Sequence, residues 1–139
     1  MRTIKITLTF LIVAMTFVWV GCTKDTGTTP DPTDARASFT GRWSVSETWT
    51  KLSYEVNITA DPNSTDGVFI ANFANTGFSG VPAGASVSGK AINLDPDQVI
   101  GGGLKINGGG SLNGSKILWN YTLDDGATRI NAVATYTRQ

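Results

Sequence analysis

The residue types that most often carry out catalysis are scarce in this chain of 139 residues. It contains no histidine and one cysteine, Cys22, so Ser-His-Asp catalysis, Cys-His catalysis and the usual zinc sites are excluded. Glycoside hydrolysis would need two facing carboxylates, for which Glu47 and Glu55 are conceivable. Their positions in alternating segments place them on opposite faces of a sheet. We therefore expect that the protein is not an enzyme.

Two glycine triplets and one acidic turn suggest phosphate or metal binding at first sight. Gly101–Gly103 and residues 108–110 are not followed by the helix that a phosphate-binding loop requires, so we interpret them as bulges and wide turns. Residues 61–67 place oxygen-bearing side chains at alternate positions, as in a calcium loop, but the distal glutamate of such a loop is missing. The sequence thus predicts neither a metal site nor a cofactor.

The N-terminus has the organisation of a secretory signal. Arg2 and Lys5 form a short positive region, and residues 6–20 are a charge-free run of 15 residues rich in Leu, Ile, Val and Phe. As a helix this run would reach roughly 22 Å, short of the ~30 Å hydrocarbon core of a bilayer. We interpret residues 1–21 as a cleaved signal peptide rather than a membrane-spanning anchor.

Charge argues against a nucleic-acid partner. The chain has 11 basic and 11 acidic residues, and loss of Arg2 and Lys5 with the signal leaves 9 basic residues and a net charge of −2. No basic stripe remains to neutralise a phosphate backbone.

Residues 19–22, Trp-Val-Gly-Cys, resemble the lipobox of bacterial lipoproteins. In that family a small residue precedes the cysteine, as Gly21 does here, and the signal is cleaved between the two. The resemblance implies that the thiol of Cys22 receives a diacylglyceryl group and that its amine is then acylated. Two or three acyl chains give stable anchoring, so a lipid bilayer is the expected partner of Cys22.

The residues after Cys22 bear on location and on the domain boundary. There is no Asp directly after Cys22. In the lipoproteins that this chain resembles, the absence of an Asp at that position favours the outer membrane. Lys24 and Asp25 are similar to the export tag of surface lipoproteins from Bacteroidetes, so we expect surface exposure, with a periplasm-facing domain as the alternative. Residues 23–38 hold no large apolar side chain and two prolines, a composition typical of a disordered tether. Residues 22–38 are therefore assigned to the lipidated cysteine and its tether.

Residues 39–139 form the predicted globular domain, and their pattern is that of an all-β protein. Apolar and polar residues alternate with period two in segments such as 52–59 and 117–124, and turn-forming residues separate these segments. No stretch outside the signal has a convincing helical period. The pattern predicts about eight short strands. One of them covers residues 68–75, and a loop over residues 76–85 comes after it.

The strands follow one another hairpin by hairpin, which predicts an antiparallel meander. A sheet of this size must bury its apolar face, either by closing into a barrel or by pairing as a sandwich. We predict the barrel, because closure also removes exposed strand edges; the sandwich is the alternative.

Gly41 and Trp43 open the first strand and Arg138 lies in the last, an arrangement that resembles the calycin barrels and above all the lipocalins. In those proteins a Gly-x-Trp packs across the closed end of the barrel under a basic residue of the last strand. The resemblance implies that Gly41, Trp43 and Arg138 are a barrel-closing motif. The chain also looks like the small lipocalin-like lipoproteins of Bacteroidetes.

A calycin barrel holds ligands in its interior or at its mouth. As a hypothesis, Glu47, Trp49, Trp119 and Tyr121 line such a site, with the carboxylate orienting a polar or cationic group. We expect a membrane-anchored, non-catalytic binding module for a small apolar or amphipathic ligand. The alternative is a structural or interaction lipoprotein that contacts proteins or glycans through its loops. The sequence does not define an oligomeric state.

Overall fold

The computed structural model describes residues 34–49 and 51–139 of the chain. These residues form nine β-strands and three short 3-10 segments, with no α-helix among them. The strands are β1 (Gly41–Glu47), β2 (Ser53–Ala60), β3 (Gly67–Ala71), β4 (Ala83–Ser88), β5 (Ala91–Leu94), β6 (Val99–Ile100), β7 (Leu104–Asn113), β8 (Lys116–Asp124) and β9 (Arg129–Arg138). Over the same residues, no helix is long and apolar enough to cross a membrane.

Eight of the nine strands form a closed antiparallel barrel. β1 to β5 pair in chain order, as do β7 to β9, and β9 returns to pair with β1. The ring closes between β5 and β7, where Ile92 lies opposite Gly110. The two-residue β6 pairs with the beginning of β7. The predicted meander closed into a barrel is therefore confirmed, and the sandwich alternative was wrong.

Side-chain size alternates around the barrel interior. Trp119 of β8 lies between Gly110 of β7 and Ala134 of β9 in the strand register. Two positions along β8, Tyr121 lies between a glycine and an alanine in the same way. The small residues leave space for the two aromatic rings, which are buried in the core. The interior is therefore filled by side chains rather than hollow.

The antiparallel order divides the connections between two ends, which we call the mouth and the base. The mouth carries the connections at residues 48–52, 72–82, 95–103 and 125–128. The base carries the N-terminal residues 34–40, the connections at 61–66, 89–90 and 114–115, and the end of β9.

An aromatic ring and an arginine close the base. Trp43 is fully buried, and its indole N–H donates to the carbonyl of Phe39 at 2.7 Å. The guanidinium of Arg138 lies 4.5 Å from the centre of the Trp43 ring, a cation–π distance. Arg138 also donates to the carbonyl of Thr40 at 3.0 Å. Gly41 has a φ of 121°, which favours glycine, and lies beside the same guanidinium.

Residues 34–38, which the sequence placed in the tether, pack on the base. Ala35–Ser38 is a 3-10 helix that begins after Asp34. Arg36 forms an ion pair with Asp34 at 2.8 Å and donates to the carbonyl of Asp61 at 2.9 Å. These bonds join the N-terminal residues to the β2–β3 connection, so the folded unit begins before Phe39. The predicted signal peptide, its cleavage after Gly21, the lipidated Cys22 and tether residues 23–33 lie outside the described residues.

Candidate functional site

The strands on one side of the barrel are short, so this side extends less far toward the mouth. β3, β4 and β5 have 5, 6 and 4 residues, whereas β7, β8 and β9 have 10, 9 and 10. β3 ends at Ala71, opposite Asn57, so residues 53–56 of β2 extend beyond it. The segment 72–82, which we call the plug segment, begins at this gap. One of its side chains, Asn72, donates to the carbonyl of Glu55 at 2.6 Å.

The plug segment begins with a strained backbone. Asn72, Ala74 and Asn75 have φ values of 64°, 52° and 59°. The left-handed conformation is common for asparagine but costs an alanine roughly 1–2 kcal/mol. The strand predicted over residues 68–75 therefore stops at Ala71, because the left-handed Asn72 breaks the pleat. The side chain of Asn72 fixes this turn by accepting a hydrogen bond from the N–H of Gly77 at 2.6 Å.

Phe73 is the residue that this turn directs into the barrel. Its side chain is fully buried. The ring centre lies 5.5 Å from that of Trp119, edge to face, and 4.8 Å from that of Tyr121. Sequence analysis missed Phe73, because an apolar run without clean alternation was interpreted as a strand. The signal that would have revealed it is a lone aromatic between residues that adopt left-handed turns, Asn72 before it and Asn75 and Gly77 after it.

A cavity of about 310 Å³ opens at the mouth beside the plug segment. Its apolar lining comes from five parts of the chain: Trp49, Ala74, Leu104, Leu123 and Ile130. Asn75, Asp125 and Thr128 supply its polar lining. The indole of Trp49 is 49% exposed, which leaves an aromatic face available at the mouth.

Asp125 is the charged residue in the lining of this cavity. Its carboxylate accepts hydrogen bonds from the N–H groups of Thr128 at 2.7 Å and Ala127 at 2.9 Å. These two bonds, in that order, lower the pKa of Asp125 below its usual value. Asp125 is therefore ionised at neutral pH, and the mouth cavity has a negative charge at its polar side.

The other predicted site residues lie in the interior and do not line this cavity. Trp119 and Tyr121 are core residues in contact with Phe73. Glu47 is also buried, with 3% of its surface exposed. Of the four residues predicted to bind a ligand, only Trp49 lines the mouth cavity.

Glu47 belongs to a buried polar group with Tyr54 and Tyr136. Burial is the main cause that raises the pKa of Tyr54, and the Glu47 carboxylate raises it further. The Tyr54 hydroxyl therefore lies close to the Glu47 carboxylate. Burial likewise raises the pKa of Tyr136, with smaller contributions from Tyr54 and Glu47. Both tyrosines are therefore neutral in the folded protein over the physiological pH range.

The two glutamates considered for hydrolysis lie on opposite sides of the barrel wall. Glu55 is exposed on the outside, where it accepts a hydrogen bond from the Gln139 amide at 2.9 Å and lies 3.9 Å from Arg42. Beside this ion pair is a smaller cleft of about 230 Å³, which Phe78 also lines. Within residues 34–49 and 51–139, no three acidic or cysteine side chains are grouped to hold a metal ion.

Comparisons with known proteins support the fold. No protein-family model matches the chain, and no curated protein matches it. A solved structure described as a redesigned beta barrel is similar, with a TM-score of 0.50 and 16% sequence identity. The match covers 79% of this chain and 99% of that one. At this identity the likeness is one of architecture, and it agrees with the closed barrel described above.

Proposed function

We propose that this protein is an exported, membrane-anchored lipoprotein whose barrel is a non-catalytic binding module for a small amphipathic ligand. The observation that carries the proposal is the mouth cavity, which combines an exposed indole, a mainly apolar wall and a single carboxylate. Ligand sites are commonly of this kind, mostly apolar with a few polar groups that fix orientation. The separation of Glu47 and Glu55 by the barrel wall supports a binding role over hydrolysis.

The charge of the cavity favours one class of amphipathic ligand. The ionised Asp125 attracts a cationic or hydroxyl-bearing head group and repels a carboxylate. The apolar tail would contact Trp49, Leu104 and Ile130. A long-chain alkylammonium is therefore expected to bind more tightly than the fatty acid of the same length.

Calorimetric titration of the full chain, held in a neutral detergent, tests this proposal. The probes are dodecyltrimethylammonium and dodecanoate below their micellar concentrations. We expect saturable binding of the cation, weaker binding of the acid, and a Kd for the cation about 10-fold higher in Trp49→Ala, because most of the indole contact is lost. Val133→Ala is the matched control, since Val133 is similarly exposed, at 48%, but does not line the cavity. Equal affinities in Trp49→Ala and the wild type would exclude the mouth cavity as the site.

The anchor is a separate part of the proposal and rests on the lipobox resemblance of Gly21 and Cys22. Residue 34 lies at the base, so a tether would leave the barrel at the end opposite the mouth. A barrel attached by its base to either face of the outer membrane would keep its mouth accessible to ligands. Labelling cells with palmitate tests it: Cys22→Ser should lose both label and membrane retention. Unchanged labelling in Cys22→Ser would refute the anchor and leave the binding proposal untouched.

A structural or interaction role is the second candidate, and the plug segment favours it. Phe78 and Val81 are 59% and 61% exposed, the highest values among the eight exposed large apolar side chains of the described residues. A protein partner could cover them. Replacing both by serine would abolish co-purification of a specific partner from surface-labelled cells if this role is correct, and would leave alkylammonium binding unchanged.

A further inference from the structure

We infer that a cleft on the outer wall of the barrel is a second binding site, which takes the ring of a neutral sugar. This outer cleft has a volume of about 230 Å³ and is lined by Arg42, Glu55, Val56, Asn57 and Phe78. It shares no lining residue with the mouth cavity. The site is therefore additional to the proposed function and does not depend on it.

An exposed phenyl ring forms one wall of the outer cleft. Phe78 belongs to the plug segment, and the backbone on both sides of it is held by hydrogen bonds. The N–H of Gly77 donates to the side chain of Asn72 at 2.6 Å, and the N–H of Gly80 donates to the carbonyl of Gly77 at 3.3 Å. The turn that carries the phenyl ring is therefore ordered, although the ring itself is open to solvent.

The opposite wall is polar and belongs to β1 and β2. Arg42 lies opposite Asn57 in the strand register, and Glu55 is two residues before Asn57, so the three side chains share the outer face of the sheet. Gln139 holds this wall in place. Its side-chain amide donates to the Glu55 carboxylate at 2.9 Å, and its backbone N–H donates to the Arg42 carbonyl at 3.2 Å.

One buried side chain joins the two walls. The amide nitrogen of Asn72 donates to the carbonyl of Glu55 at 2.6 Å, while its oxygen accepts the hydrogen bond from Gly77. Asn72 thus connects the residue that supplies the carboxylate with the residue that precedes Phe78. A site whose walls are already in place loses little conformational freedom when a ligand binds.

The polar wall has room for a hydroxyl between its two charged groups. Nη1 of Arg42 and Oε2 of Glu55 are 3.9 Å apart, which is longer than the ~2.7–3.2 Å of a hydrogen bond. A hydroxyl both donates and accepts, so one placed between them would accept from the guanidinium and donate to the carboxylate. Because the two charges cancel, this wall favours a neutral ligand over a charged one.

The two walls together define the ligand. The face of a phenyl ring is partly negative and attracts polarised C–H groups, which a sugar ring presents on its flat side. The sugar hydroxyls lie along the ring edge, where Arg42, Glu55 and the amide of Asn57 would contact them. The cleft is smaller than the about 300–1,000 Å³ of sites for drug-sized ligands, so it fits a single ring.

NMR titration of the full chain, held in a detergent without a sugar head group, tests the inference. The probes are the methyl glycosides of glucose, galactose and mannose, together with tetrahydropyran, which is the same ring without hydroxyls. We expect at least one glycoside to cause saturable shifts of the side-chain amide signals of Asn57 and Gln139 and of the backbone signal of Phe78. Tetrahydropyran should leave these signals unchanged, and the indole signal of Trp49 should not move with any probe.

Three variants assign the binding to the outer cleft. Phe78→Ala should raise the Kd of the bound glycoside about 5-fold, through the lost aromatic contact. Glu55→Ala should raise it about 10-fold, because a hydrogen bond to a charged group is lost. Val81→Ala is the matched control, since Val81 is exposed in the same segment but does not line the outer cleft. All three side chains are exposed, so their removal should leave the fold intact.

The inference is overturned if none of the three glycosides causes saturable shifts, or if tetrahydropyran causes the same shifts. It is also overturned if Phe78→Ala binds the glycoside no more weakly than Val81→Ala. Equal losses in these two variants would indicate a wider contact face on the plug segment, as a docked protein would need.

The outer cleft and the mouth cavity can fail separately. Trp49→Ala should weaken alkylammonium binding and leave glycoside binding unchanged, whereas Phe78→Ala should do the reverse. Absence of alkylammonium binding alone contradicts the proposed function, and absence of glycoside binding alone contradicts the outer cleft.

Discussion

Gly108→Ala should destabilise the barrel by about 4 kcal/mol. Gly108 has a φ of 139°, and a Cβ added there would lie 2.5 Å from the Cα of Tyr121 and even closer to the carbonyl oxygen of Asn120. Both are backbone atoms of β8, which is paired along its length with β7 and β9. The strand cannot shift without breaking those pairs. The backbone conformation contributes about 1–3 kcal/mol, and the overpacking about 1–3 kcal/mol more.

Gly114→Ala separates these two contributions. Gly114 also has a positive φ, 60°, but a Cβ there meets no atom within 4 Å. The Gly114→Ala variant should lose only about 1 kcal/mol of its free energy of unfolding. Guanidinium unfolding followed by circular dichroism measures both variants, and a similar slope in each would show that the unfolded states are comparable. Equal losses in the two variants would refute the steric argument and with it the close approach of β7 to β8.

The remaining predictions concern pH and the base of the barrel. Stability should fall as pH rises above about 10, because Tyr136 is held neutral in the folded protein and ionises freely when unfolded; Tyr136→Phe should reduce this slope in alkaline denaturation curves. The pKa of Asp34 is lowered, mainly by its hydrogen bonds from Arg36, so its contribution is present above its ordinary pKa of 3.8 and is lost as the solution becomes more acidic. Melting curves of Asp34→Asn should therefore show less acid sensitivity than those of the wild type. Arg138→Gln should cost about 1–2 kcal/mol in guanidinium unfolding, through the lost cation–π contact and carbonyl hydrogen bonds. Arg129→Gln, which breaks an exposed ion pair, should cost at most about 0.5 kcal/mol, and a larger loss would contradict this ranking.

The alternation of residue types predicted most of the barrel. In β8, Ile117, Trp119, Tyr121 and Leu123 are buried, as the period-two pattern predicts. Barrel closure was predicted because a meander of this size has to bury one face and cover its edges. These inferences depend on local pattern and on general packing rules, which the sequence displays directly.

The plug and the role of the glycines could not be predicted in the same way. Phe73 points inward because Asn72 adopts a left-handed conformation, a choice between backbone states that the surrounding tertiary contacts fix. The space beside Tyr121 and Trp119 depends on the register that puts Gly108 and Gly110 opposite them. Register is a non-local property. The interpretation of residues 108–110 as a bulge or wide turn was therefore wrong, because this triplet lies within β7 and pairs continuously with β8.

The candidate site was predicted in part. Trp49 was named, but its position in the mouth cavity depends on two other connections and on the mouth ends of β7, β8 and β9, which meet it there. Asp125 was not predicted as a site residue, because its role follows from the proximity of the β8–β9 connection to Trp49. Glu47, Trp119 and Tyr121 were grouped with Trp49, although all three are buried in the interior and only Trp49 lines the mouth cavity.

Residues 34–40 and the C-terminal residue Gln139 meet at the base, which makes a circular permutation of residues 34–139 possible. Gln139 donates through its backbone to the carbonyl of Arg42, and Arg138 reaches Thr40, so residues 139 and 34–40 are close in space. A short linker could join them, with new ends cut at the tight turn before Ala91. Such a circular permutant would keep every strand pair, since the β9–β1 neighbours would become a hairpin and β4 and β5 would meet only through their ladder. A reporter domain could then be attached to the new ends at the base, which would leave the mouth open.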